Sequence, residues 1–130
     1  MPDNADTIAR ALFEEYFFAW NNADNPGIRK VTNFPFVALR PGGGVIVNAQ
    51  PDDFLVDFPQ MTRQEGWHHS KLVSVEVLNA DAPDKILCLV SYTRHKQNGG
   101  RYMTGRTFYL LSKVHERWGI QVRWTMSQTA

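Results

Sequence analysis

The order of the patterned segments constrains the fold more than any single motif. Residues 7–23 carry apolar and aromatic side chains at helical spacing, and from Trp67 to the last residue three turns separate four β-rich stretches. A helix-first chain that ends in an antiparallel run buries both amphipathic surfaces by laying the helical layer on one face of a sheet. At about 100° per residue, Ile8, Ala9, Leu12, Phe13, Tyr16, Phe17, Ala19 and Trp20 fill about half the helix circumference. Arg10, Glu14 and Asn21 hold the other side, and Tyr16 lies near the centre of the apolar arc. Asp6 is the expected cap of this helix.

The stretch after Asn21-Asn22-Ala23-Asp24-Asn25 restarts a helix, with Asn25 as cap and Pro26 in the first turn, where a missing N–H costs nothing. Ile28, Val31 and Thr32 form its inner face, and Pro35 ends it. Residues 36–40 and 45–48 flank Pro41-Gly42-Gly43-Gly44 as a hairpin. These glycines are no phosphate loop, because a strand and not a helix comes after them. Pro51-Asp52-Asp53 opens a third helical stretch that Pro59 kinks or divides. Strands are expected at 68–79, 85–96, 102–114 and 118–127. Their short turns make them an antiparallel meander.

At 130 residues with 43% hydrophobic content, the chain is one domain, residues 1–130, with enough apolar material for a core. A net charge of +1 offers no electrostatic footprint for nucleic acid or an anionic membrane. No apolar run has the length of a membrane span, and the acidic start Met1 to Asp6 does not read as a secretory signal. The expected address is cytoplasmic. The single cysteine, Cys88, lies in the apolar run 86–90 and reads as a small core residue. That run is apolar on both faces, so it needs a cover on each, and the chain's helices cover only one. A homodimer through the outer sheet face supplies the second cover.

Residues 11–20 (Ala-Leu-Phe-Glu-Glu-Tyr-Phe-Phe-Ala-Trp), residues 91–100 and the closing Trp118-Gly119-Ile120-Gln121-Val122-Arg123-Trp124 together resemble the nuclear transport factor 2-like superfamily, which includes ketosteroid isomerases and SnoaL-like polyketide cyclases. The resemblance spans nearly the whole chain. It implies an α+β cone: three N-terminal helical segments, an early hairpin, and a four-stranded C-terminal meander that curls around the first helix and leaves a pocket at the open end. It implies little about chemistry, since folds of this kind host enzymes, binding modules and transport factors.

Isomerases of that group use a pocket carboxylate as base and a tyrosine as oxyanion donor. Tyr16 matches the tyrosine, and Asp24 is the weak candidate for the base. Glu76, Asp81, Asp84 and Glu116 are placed in turns or within one strand, and Thr125 stands where a cyclase would want an acid. A different polar set comes from the last strand. If Gln121, Arg123 and Thr125 face the cavity, they present a fixed cation beside two neutral hydrogen-bonding groups, with Arg94 and Arg106 able to join. Simple burial would instead turn Trp118, Ile120, Val122 and Trp124 inward. Tyr92, Tyr102, Tyr109 and Trp67 read as core before ligand-stacking groups. His68 and His69, adjacent on a strand, should point to opposite faces, and no metal site or cofactor is expected.

The reading favoured by these residues is a pocket protein for a small, partly apolar molecule, lined by Tyr16, Trp20, Gln121, Arg123 and Thr125. The alternatives are an isomerase-, cyclase- or dehydratase-like enzyme using Tyr16 and Asp24, and a protein–protein module working through its sheet face.

Overall fold

The computed structural model describes residues 4–130, so the first three residues of the stretch read as lacking a secretory signal lie outside the described residues. Asn4, not Asp6, caps helix α1 (Ala5–Asn21): its Oδ1 accepts from the Thr7 N–H at 2.8 Å. Asp6 falls inside the first turn, where its charge faces the positive end of the helix dipole. The arc expected to be apolar is the buried one, and Phe18, outside it, is 72% exposed.

Helices α2 (Asn25–Lys30) and α3 (Phe58–Glu65) share one construction. Asp24 and Asp57 cap them, each accepting from an N–H three residues on at 3.0 Å, and Pro26 and Pro59 sit in the unpaired first turn. The α2 cap is thus Asp24, one residue before the expected Asn25. Pro51–Asp53 forms a separate 3₁₀ turn, so the third helical stretch is divided before Phe58.

The sheet is built from six strands: β1 (Thr32–Leu39), β2 (Val45–Asn48), β3 (His69–Asn79), β4 (Lys85–His95), β5 (Arg101–Val114) and β6 (Arg117–Thr129). Their order across it is β2-β1-β6-β5-β4-β3. β3 to β6 are the expected meander, and β1 joins it by pairing parallel to β6, which makes the sheet mixed. Pro35 lies inside β1 and does not end α2. No described helix is long and apolar enough to cross a membrane.

Bulges in β6 decide what faces α1. Leu111 pairs with Ile120 and Leu110 with Val122, so Gln121 is an extra residue; Thr107 pairs with Thr125 and Arg106 with Ser127, so Met126 is another. Each bulge reverses the facing of the residues beyond it. Ile120, 1% exposed, therefore packs into the core, and Arg123, Thr125 and Gln128 also turn inward, while Trp124 and Met126 are half exposed on the outer face. Neither strict alternation considered for this strand holds along its length.

A polar clip supports the first bulge. The Asn33 amide donates to the Ser112 carbonyl at 2.8 Å and to Ser112 Oγ at 2.9 Å, and Ser112 Oγ donates to Gln121 Oε1 at 2.7 Å. Gln121 Nε2 donates in turn to the Pro35 carbonyl, and Arg117 donates to Asn33 Oδ1 at 2.7 Å. These contacts satisfy β1 groups left unpaired where its register with β6 shifts between Thr32 and Val37.

β4 points Ile86, Cys88, Val90 and Tyr92 into the core and leaves Leu87 and Leu89 on the uncovered outer face. Tyr92 packs over its cross-strand partner Gly105, where an added Cβ would lie 2.3 Å from Tyr92 Cζ. Gly105→Ala should therefore lower stability by about 1–3 kcal/mol through overpacking of a buried ring. Urea unfolding measures this, and an unchanged midpoint would contradict the packing described.

Candidate functional site

Between α1 and the concave face of β3–β6 lies a cavity of about 30 Å³. That volume admits only one or two water molecules. The cone is thus largely filled by its own side chains, and the cavity opens at one rim. Tyr16, Phe17 and Trp20 reach it from α1, where spacings of three and four residues stack them on one face. Ser70 comes from β3, Tyr92 and Arg94 from β4, Thr107 and Tyr109 from β5, and Arg123, Thr125 and Gln128 from β6.

The aromatic wall is held edge to face. Tyr16 meets Phe13, Phe17 and Tyr109 at ring separations of 6.2, 5.7 and 6.0 Å, and Trp20 meets Phe58 at 5.2 Å. Asn21 fixes the end of α1 to β3: its amide donates to the Ser70 carbonyl and accepts from the Ser70 N–H, both at 2.8 Å. Ser70 Oγ accepts from Trp67 Nε1 at 2.9 Å. Trp67 is therefore a buried support behind the cavity.

Two N–H donors in this wall are buried without an acceptor among the described residues: Trp20 Nε1 and Arg123 Nε. A buried donor left unpaired costs about 1–3 kcal/mol, and a buried charge without a partner costs more. Among the described residues the cavity lining contains two arginines and no carboxylate. Arg94 has a partner, Glu65, at 3.0 Å; among the described residues Arg123 forms no ion pair. Burial is the largest influence on Arg123 and opposes its charge, but the adjacent Tyr16 and Tyr109 outweigh it and raise its pKa. Burial likewise holds the Tyr109 hydroxyl well above the usual tyrosine range, with Tyr16 adding to the shift and Arg123 opposing it. The site sets an arginine among tyrosine hydroxyls, with no carboxylate among the described residues that line it.

Of the residues singled out from the sequence, Tyr16, Trp20, Arg123 and Thr125 line this cavity, and Arg94, Tyr92 and Tyr109 join them. Gln121 does not, because it occupies the bulge and bonds to β1 and Ser112. Asp24 is exposed and spent on capping α2. Arg106 is exposed on the outer face, one residue out of phase with inward Thr107. Ser70 and Gln128 carry no sequence signal: the first depends on Asn21, and the second is turned inward by the bulge at Met126.

His68 precedes β3, so the rule for adjacent strand residues does not apply to it. Its Nδ1 lies 2.9 Å from that of His69, which stacks on His95 at 4.9 Å. Among the described residues no group of three or more His, Cys, Asp or Glu could hold a metal ion. Cys88 is fully buried, and burial, with a smaller contribution from Asp6, pushes its thiol up to about 12.

Two measurements check this description. Cys88 should resist alkylation at pH 8 in the native protein and react fully in denaturant, since only the thiolate attacks; rapid native labelling would contradict its burial. Arg123→Met should raise the melting temperature of the ligand-free protein, by about 1 kcal/mol of stability, because it removes a half-buried charge whose Nε–H has no acceptor among the described residues. A lower melting temperature would show that the guanidinium is satisfied.

No protein-family model matches the chain, and no curated protein matches it. Solved structures do. An NTF-2 like protein of unknown function from Shewanella oneidensis MR-1 superposes with a TM-score of 0.69 at 14% identity, covering 93% of this chain and 98% of that one. A protein of unknown function with a cystatin-like fold from Nostoc punctiforme gives 0.74 at 11% identity, covering 96% and 93%. A candidate dehydratase from the NTF2-like family of Streptomyces avermitilis gives 0.71 at 12% identity, covering 96% of each chain. Likeness at this level of identity carries the fold and no activity. The chain has the nuclear transport factor 2-like, or cystatin-like, fold: helices and then a curved, mixed sheet of six strands.

Proposed function

We propose that the protein binds a small acidic molecule with an apolar body, its acid group on Arg123 and its body against Tyr16, Phe17 and Trp20. The observation that carries this reading is Arg123, a half-buried cation whose buried Nε–H has no acceptor and which has no counter-ion among the described residues. A planar guanidinium matches a carboxylate in two parallel hydrogen bonds, and the indole N–H of Trp20 offers a further donor. The 30 Å³ of free space takes only the acid group. The body extends toward the rim, where the exposed Gln128 side chain, now donating to the Tyr92 hydroxyl at 3.1 Å, moves aside.

An isomerase- or dehydratase-like reaction with Asp24 as base has less support, because Asp24 is outside the cavity and no carboxylate among the described residues lines it. Tyr16 remains available as a hydrogen-bond donor to the bound acid, which is a binding role and not a proton-transfer one.

The same account includes a homodimer through the outer sheet face. Leu89, Phe108 and Trp124 lie in one cross-strand row and Leu87, Leu110 and Val122 in the next. Every described helix lies on the other face, so a second copy with the same uncharged rows is the matching cover. The ordinary charge balance and the lone buried cysteine support a cytoplasmic address.

Thermal-shift titration with a panel of short aromatic and aliphatic carboxylates tests the binding proposal. The expected result is a saturable rise in melting temperature of several degrees for at least one acid, absent for its amide and abolished by Arg123→Met. Equal stabilisation by acid and amide, or no stabilisation by any acid, would overturn it. For the dimer, light scattering at micromolar concentration should give twice the chain mass for the wild type and one chain mass for Phe108→Glu; a monomeric wild type would contradict it.

A further inference from the structure

The second cavity arginine is held differently from the first, and the difference bears on ligand charge. Arg94 Nη1 donates to Glu65 Oε1 at 3.0 Å, and the Tyr102 hydroxyl donates to the same oxygen at 3.0 Å. Glu65 is the last residue of α3, where Gly66 closes the helix in a left-handed conformation with φ of 75°. The helix end thus delivers one carboxylate to the cavity rim. Arg94 is shielded, its side chain 14% exposed, and its guanidinium carbon lies 5.8 Å from the centre of the Tyr92 ring, itself part of the cavity wall.

The charges around the cavity then sum simply. Arg123 and Arg94 contribute two positive units and Glu65 one negative, leaving a single positive unit for a ligand to neutralise. A monoanion on Arg123 closes that balance. A second acid group on the same ligand would meet an arginine already neutralised, with Glu65 beside it.

We infer that Glu65 is a specificity-determining residue: by neutralising Arg94 it restricts the cavity to monoanionic acids and rejects dianionic ones of the same length. This rests on the acid-binding reading above and adds the charge class of the ligand. The two arginines are far enough apart for the second charge to matter separately. Their β5 partners, Tyr109 and Met103, are six residues apart, or about 20 Å of strand, which the two long side chains shorten. An α,ω-dicarboxylate is the probe that spans such a gap, and its monocarboxylate of equal carbon number is the control.

Glu65→Gln is the decisive variant, because the amide oxygen still accepts from Arg94 and Tyr102 while the negative charge is gone. Binding of four- to ten-carbon mono- and dicarboxylates is measured by calorimetry on the wild type and this variant. The wild type should prefer the monoacid by about tenfold or more, and Glu65→Gln should strengthen the best diacid by about tenfold or more while changing the monoacid less than about threefold. A diacid that gains nothing in Glu65→Gln overturns the role of Glu65 and leaves the acid-binding reading standing. Failure of every acid on both proteins overturns both. Arg94→Gln provides a second check that does not depend on the first variant folding: it leaves Glu65 uncompensated and should weaken the monoacid, and adding Glu65→Gln to it should restore that affinity. Additive losses in the double variant would show a structural effect and overturn the inference.

Discussion

A single inserted residue in the last strand governs the interior. With Gln121 bulged, β6 can place Ile120 against Leu111 in the core and, further along, Arg123 against Tyr109 under α1. A strand of uninterrupted alternation would have to choose between an apolar floor and a charged one. The bulge is stabilised by specific bonds: Asn33, Ser112 and Gln121 satisfy one another and the β1 carbonyls that the shifted register leaves unpaired. Gly119 is required beside it, since an added Cβ would lie 2.7 Å from Asn33 Oδ1.

That constraint sets the electrostatic character of the site. The inward guanidinium lies among tyrosine and tryptophan side chains, with no carboxylate among the described lining residues. Among the described residues the fold gives Arg123 no counter-ion, although it supplies one to Arg94. This uneven treatment of two arginines in one cavity is what the proposed binding of an acid rests on. The aromatic packing of α1 against Tyr109, Phe58 and Trp67 keeps the remaining volume small.

Much of the architecture was legible because it depends on local periodicity. The buried arc of α1, the hairpin at Gly42–Gly43 and the meander from His69 onward all express spacings that a sequence displays directly. Caps were displaced by one or two residues, because Asn4 and Asp24 compete with Asp6 and Asn25 for the same N–H groups and only backbone direction decides. The parallel pairing of β1 with β6 joins segments some 85 residues apart, beyond what local pattern records. Among the site candidates, Tyr16, Trp20, Arg123 and Thr125 surround the cavity, whereas Gln121 shares their parity in the sequence and is diverted by the bulge. Asp24 lies next to the right helix but is engaged by Gly27. Gln128 and Ser70 depend on register and on a helix–strand clip, which no spacing rule reveals.

The central claim is that Arg123 Nε–H, which has no acceptor among the described residues, is the donor that takes the proposed acid. Its resonance in a ¹⁵N-edited NMR spectrum of selectively arginine-labelled protein reports this directly during titration with a carboxylate. The account predicts a saturable downfield shift of that one signal and slower exchange of its proton with solvent, with the surface arginines unaffected. A signal that stays in place while the acid binds elsewhere, or one already shifted and protected in the free protein, would contradict it.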